Sequence, residues 1–236
     1  MPISLIIYWI YCLTLVLACA VTACCMVRRN WQFVYKLLVI MCCATFVAET
    51  FSTYSLLHSW KPGYIYNVWI PLETSTILFV LCSHAAHGWT RRLGRVLLGI
   101  YFTGVAVSYI LIPPFSEFNT QAVLVGLFTQ LFASCASLID MLQDKNDEDR
   151  LSARPMFWIA IGILCSCTLF AVIFSTQKLL INTFPLGYYF YMPFSYAANT
   201  CMYGGFIAAF ITLKKQQPDA PAPDNLPAVH RDACGD

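Results

Sequence analysis

An all-α, polytopic membrane protein with seven transmembrane helices is the fold this sequence predicts, on three observations. Hydrophobic residues make up 59% of the chain and charged ones only 11%, a balance unsuited to a surface facing water. Apolar runs near the length of about 20 residues that a spanning helix needs recur along the chain, over residues 3–27, 34–57, 65–89, 95–113, 120–143, 155–177 and 188–213. Basic residues gather at alternate connections between those runs, as cytoplasmic loops require. A membrane barrel would need strands of about ten residues with alternating polarity, and these runs are too long and too evenly apolar.

The first run, Ile3 to Val27, is too long for a signal-peptide core and has no basic residue before it, only Arg28 and Arg29 after it. It reads as a spanning helix, not a cleaved leader. The third run contains Pro71, which frees the carbonyl of Asn67 one turn earlier, and the seventh contains Pro193, which frees that of Tyr189; either can open or kink its helix. After the fifth run, Asp144 to Pro155 is the longest polar connection and reads as a solvated turn, with docking of a partner as the lesser alternative. The transmembrane domain then occupies residues 1–215. The segment 216–236 carries Pro218, Pro221, Pro223 and Pro227 among small and acidic residues, so it cannot bury a core and is expected to be disordered.

Orientation follows from the fourteen Lys and Arg. Arg28, Arg29 and Lys36 flank the first connection, Arg91, Arg92 and Arg95 the third, Lys145, Arg150 and Arg154 the fifth, and Lys214, Lys215 and Arg231 follow the last run; Lys61 and Lys178 fall on the other side. The N-terminus is therefore expected outside and the C-terminus in the cytoplasm. Trp31, Trp60, Trp89 and Trp158 sit near run ends, where an interfacial aromatic belt belongs. A net charge of +2 gives no reason to expect a nucleic-acid partner. Eleven of the cysteines lie in apolar runs and Cys234 in the tail, with no CxxC or Cys/His zinc spacing, so they read as small buried hydrophobes.

Charged groups inside the runs are costly, on the order of 3 kcal/mol or more each, and mark where function is to be sought. Glu49 and Glu73 both lie about eight residues from the outer ends of their helices, roughly 12 Å deep at helical rise. Thr45, Glu49, Ser52 and Thr53 form one polar stripe on the second helix, and Trp69, Glu73, Thr76, Val80, His84 and His87 another on the third. Helices joined by a short loop pack antiparallel, so the stripes can face each other across a polar pocket open to the outer side. Tyr191, Ser195, Asn199 and Tyr203 recur every fourth residue on the seventh helix and reach toward the same level. Two carboxylates held close in low dielectric cannot both stay ionised without help, so a shared proton or bound cation would stabilise them. The structural alternative is that each glutamic acid merely hydrogen-bonds across helices as packing glue.

His84 and His87, spaced i, i+3, have the spacing of a metal pair, with Asp140 near the inner end of the fifth helix as a third candidate ligand. Their place beside the cytoplasmic arginines favours interfacial histidines at a helix C-terminus instead. Two seven-helix classes are excluded by what is missing. A microbial retinal protein needs a lysine within the seventh helix, and none lies between Tyr188 and Leu213; zinc-dependent seven-helix hydrolases need a His pair on a late helix, and the fourth to seventh runs contain no His. Tyr66-Asn67 followed by Pro71-Leu72-Glu73, with an acidic residue in the second helix, resembles small uncharacterised bacterial seven-helix integral membrane proteins of about this length. That resemblance implies the seven-helix fold, a place in a bacterial inner membrane and importance for Glu73, and it brings no activity.

The expectation is a receptor-like or sensor-like protein binding a small ligand or cation in an outward-facing pocket between the second, third and seventh helices. Glu49, Glu73, Asn199, Ser52, Thr53, Thr76, Ser195 and Tyr203 would line it. A proton-coupled transporter using the same glutamates is the alternative, and an intramembrane enzyme a third reading that lacks a complete catalytic set. The sequence leaves any cofactor open. With no signalling domain in the chain, any output must pass through a loop, a homo-oligomer or a cytoplasmic partner.

Overall fold

The computed structural model describes residues 3–26, 33–58, 63–111, 118–144, 151–183 and 187–216. Seven α-helices span these residues: α1 Ile3–Met26, α2 Phe33–Leu57, α3 Gly63–Ser83, α4 Gly88–Leu111, α5 Thr120–Gln143, α6 Pro155–Thr183 and α7 Gly187–Gln216. A 3-10 turn at Leu151–Ala153 leads into α6. Among the described residues there is no strand. All seven helices are long and apolar enough to cross a membrane, which makes this an integral membrane protein by shape and composition. The tail beyond Gln216, the side chains of Thr53 and Tyr191, and the basic residues Arg28, Arg29, Lys145 and Arg150 lie outside what is described.

Six helices close a ring in the order α1, α2, α3, α5, α6, α7, with α7 returning to α1, and α4 packs outside the ring against α3 and α5. The outer surface is apolar: Trp9, Leu13, Val47, Leu72, Ile110 and Leu142 all point outward and exposed. Exposed apolar area on that scale has no place in water and fits acyl chains.

The two ends of the bundle differ. Toward the α1–α2, α3–α4 and α5–α6 connections the centre is solid, filled by Leu38, Ile77, Leu81, Ile159, Phe206 and Phe210, all fully buried. There α6 and α7 cross closely at Gly162 and Gly205, where a side chain on Gly205 would meet the Trp158 carbonyl oxygen, the small-residue contact that brings membrane helices together. Toward the α2–α3, α4–α5 and α6–α7 connections the ring is held open, and polar ties run between helices.

Pro71 explains one of those ties. Having no N–H, it leaves the Asn67 carbonyl unclaimed within α3, and the Tyr109 hydroxyl of α4 donates to that oxygen. The Asn67 side-chain oxygen accepts from the backbone N–H of Asn119 at 3.1 Å. Asn119 then caps α5, accepting from the Ala122 N–H at 3.1 Å, while its amide donates to Ser108 of α4 at 2.9 Å. One proline-opened turn thus fastens α3, α4 and α5 at the same height. Tyr109→Phe keeps the ring and removes the hydroxyl that donates to that carbonyl, a loss worth about 1 kcal/mol. A lower melting temperature in detergent is the expected outcome; melting like the wild type would mean the carbonyl has another partner.

The break between α3 and α4 differs from the hydropathy reading. The third helix was expected to run to Trp89, yet α3 stops at Ser83 and α4 begins at Gly88, taking Arg91, Arg92 and Arg95 into its first two turns. His84 and His87 therefore sit in the turn, not on one helical face. The physical cause is Asp140 of α5. Its Oδ2 accepts from the Ala86 N–H at 2.6 Å, and its Oδ1 accepts from the His87 N–H at 3.1 Å and the Thr90 hydroxyl at 2.7 Å. A carboxylate from a neighbouring helix thus holds the N-terminus of α4, where it also opposes the positive end of the helix dipole.

Candidate functional site

In the open half of the ring lies a cavity of about 900 Å³. It reaches from Tyr54, Gly63 and Phe118 at the end of the bundle down to Ile77, Gln130 and Met202 near mid-depth. α1, α2, α3, α5, α6 and α7 all contribute to its wall, and α4 does not. Among the described residues, the side chains beneath it are buried and closely packed.

Glu49 and Glu73 both line this chamber and are close enough to act on each other electrostatically. Glu73 Oε1 accepts from the Tyr203 hydroxyl of α7 at 3.2 Å and, at a long 3.4 Å, from the Thr45 hydroxyl of α2. Glu49 Oε2 accepts from the Tyr66 hydroxyl of α3 at 3.2 Å. Each acid is therefore oriented by hydroxyls from helices other than its own, and this ties α2, α3 and α7 across the chamber. Tyr11 of α1 stands beside both acids. Its side chain is buried, and its hydroxyl finds no hydrogen bond of good geometry.

The wall is strongly aromatic. Tyr11 and Tyr196 stack with centroids 5.4 Å apart and planes at 20°. Tyr8 meets Tyr196 edge-on at 5.3 Å, and Tyr66 meets Phe118 edge-on at 6.0 Å. Trp69, Phe170 and Phe174 complete the lining, and the Trp69 indole N–H is buried without a partner. At the floor Gln130 of α5 donates to the Thr74 hydroxyl at 3.1 Å and accepts a weak contact from the Cys167 thiol at 3.4 Å.

Among the residues singled out from sequence, Glu49, Glu73, Ser52, Ser195, Asn199 and Tyr203 all line the chamber. Thr76 does not. The chamber face of α3 runs through Tyr66, Ile70, Glu73 and Ile77, with Thr74 beside it, so the hydroxyl presented inward is that of Thr74. The contribution of α1 went unseen because tyrosines in an apolar run read equally well as lipid-facing, and Gln130 carried no charge to draw notice.

His87 and Asp140 do come together, with His87 Nδ1 2.9 Å from Asp140 Oδ1. His84 turns elsewhere, its ring edge-on to Tyr35 at 5.3 Å, and burial lowers its pKa. Among the described residues no three His, Cys, Asp or Glu gather as a metal site.

Fold and site together define a seven-helix integral membrane protein with an aromatic, doubly acidic chamber in one half of its bundle. No family model, curated protein or solved structure matches the chain.

Proposed function

We propose that this protein is a receptor-like or sensor-like component of a bacterial inner membrane. Its N-terminus lies outside, its C-terminus is cytoplasmic, and its chamber takes up a small ligand or cation from the outer side. The distribution of Lys and Arg supports the orientation, and the likeness to small bacterial membrane proteins supports the compartment. One observation carries the binding role: Glu49 and Glu73, from different helices, share a chamber whose hydroxyls are arranged around them. Packing glue would place such acids in tight helix contacts instead of around a void. The solid lower half favours holding a ligand over passing it through, so transport is the second reading and requires that half to open. Because α2, α3 and α7 meet at the acids, an occupant bound there alters how those helices pack, and the cytoplasmic connections would report it to a partner or a second copy.

Cys12 lines the chamber, whereas Cys135 and Cys165 are exposed on the outer surface of the bundle. A thiol reacts as its thiolate, which needs water. In native membranes treated with a small neutral alkylating reagent and read by peptide mass spectrometry, Cys12 is expected to react about tenfold or more faster than those two. Equal or slower reaction at Cys12 would mean a dry, closed void and remove the binding role.

A further inference from the structure

The wall of the chamber has a gap at one helix seam. In the solid half of the bundle α1 and α2 touch, with Cys19 Sγ donating to the Cys42 carbonyl at 3.3 Å. Seven residues nearer the open end of α1, on the face that Cys19 shares, Cys12 lines the chamber. The same step along α2 leads from Val39 to Phe46. Val39 is only 3% exposed and Phe46 43%, and Phe46 also belongs to the chamber lining. Thr50, one turn further along, is likewise exposed and in the lining. A face of α2 that is covered in the solid half is thus uncovered beside the chamber, and α1 and α2 part toward the open end. The slot between Cys12 on one side and Phe46 and Thr50 on the other joins the chamber to the outside of the bundle. Phe46 stands eleven residues before the end of α2 at Leu57, about 16 Å down at helical rise in a hydrocarbon layer about 30 Å thick. At that depth the slot faces acyl chains, not water.

We infer that the chamber takes its occupant sideways from the surrounding leaflet, and that this occupant is an uncharged amphiphile with one apolar chain and a hydroxyl-bearing head. This rests on the chamber being a binding site, as proposed above, and names the class of its ligand. A head entering by the slot crosses hydrocarbon, which a charged group does only at high cost. Inside, it meets Glu49, Glu73, Ser52 and Asn199. A carboxyl oxygen accepts a hydrogen bond whether or not the group is ionised, and an asparagine amide both donates and accepts, so hydroxyls of the head are matched in either case. The chain lies against the rings of Tyr8, Phe170 and Tyr196. It gains little by leaving lipid for that wall, because acyl chains are already as apolar as the side chains they would touch. Selection therefore falls on the head, and the hydroxyls of Tyr66 and Tyr203 hold the two acids in place for it. A volume of about 900 Å³ lies within the range of sites for molecules of that size.

The test uses the full-length protein in phosphatidylcholine vesicles and photoreactive probes that share one diazirine-bearing chain: a 1-monoacylglycerol, a headless alkane and a lysophosphatidylcholine. After irradiation and peptide mass spectrometry, the monoacylglycerol is expected to mark Leu15, Ile77 and Met202, which line the chamber, at least about tenfold more than either other probe. Leu13 and Val47, exposed on the outer surface, should be marked alike by all of them. Thr50→Trp, which fills the slot, should remove most of the chamber adducts, whereas Phe51→Trp, exposed beside it and outside the lining, should leave them unchanged. Equal chamber labelling by the alkane would overturn the assignment in favour of unselective filling by chains, and equal labelling by lysophosphatidylcholine would overturn it in favour of a charged head. Suppression of the adducts by free glycerol at matched concentration would overturn it in favour of a water-borne ligand, and adducts untouched by Thr50→Trp would overturn the sideways route. No chamber adducts in protein whose Cys12 still alkylates quickly would overturn the amphiphile and leave the site. Slow Cys12 alkylation without any probe would instead bring down the underlying site reading, so the two failures are distinguishable.

Discussion

Asp140→Ala is expected to lower the melting temperature in detergent by roughly 10 °C, the shift corresponding to the loss of about 3–5 kcal/mol in a protein of this size. The carboxylate accepts from two backbone N–H groups and a hydroxyl at the start of α4, and stands 2.9 Å from His87 Nδ1. Alanine leaves those donors facing an apolar gap in a half-buried setting, and hydrogen bonds to a charged acceptor are worth about 1.5–3 kcal/mol each. The N-terminus of α4 also carries Arg91, Arg92 and Arg95, positive charge at the wrong end of a helix dipole. Asp140 is the acid that offsets it. Asp140→Asn keeps the shape and one acceptor oxygen, so an intermediate loss is expected, whereas Thr90→Val, which removes one donor of the set, should cost less than either. Melting of Asp140→Ala within a degree or two of wild type would show that the α3–α4 turn is held by something else.

That carboxylate also marks where sequence reasoning stops. Hydropathy located every helix, because a run of apolar residues long enough to cross a bilayer is a local property of the chain. It misplaced the α3–α4 turn because the deciding contact joins residues more than fifty positions apart, and no local pattern contains it. The arginines, expected in a loop, could extend from a helical first turn into the interface without cost, so the apolar count began too late.

The candidate site was legible to a similar degree. Depth is simple counting along a helix, so Glu49 and Glu73 could be set at one level, and the carbonyl freed by Pro71 follows from proline having no N–H. The partner of that carbonyl, Tyr109, depended on where α4 packs. The inward face of α3 was read through Thr76, whereas packing turns Thr74 to the chamber instead. A rotation of that size is decided by neighbours such as Gly126, which lets Thr74 come close to α5.

The second large effect concerns the crossing of α6 and α7. A Cβ on Gly205 would lie 2.6 Å from the Trp158 carbonyl oxygen and 2.8 Å from the Gly162 Cα. Both are backbone atoms, so no side chain can rotate away and the helices themselves must part. Gly205→Ala is expected to cost about 2–3 kcal/mol, seen as a melting temperature roughly 5–10 °C lower, and Gly205→Leu to prevent folding of the bundle. Gly204 supplies the control in the same turn of α7. A Cβ there meets nothing within 4 Å, so Gly204→Ala should melt at or slightly above wild type, since alanine is the better helix former. The consequence reaches the chamber, because Tyr203 lies two residues before Gly205 and its hydroxyl donates to Glu73 at 3.2 Å. Displacing α7 by even an ångström breaks that bond, so Gly205→Ala protein that still folds should also show altered labelling at Cys12, while Gly204→Ala should not. Similar melting of the two alanine variants would mean that α6 and α7 do not approach as closely as their glycines allow, and the orientation of Glu73 by Tyr203 would then need another support.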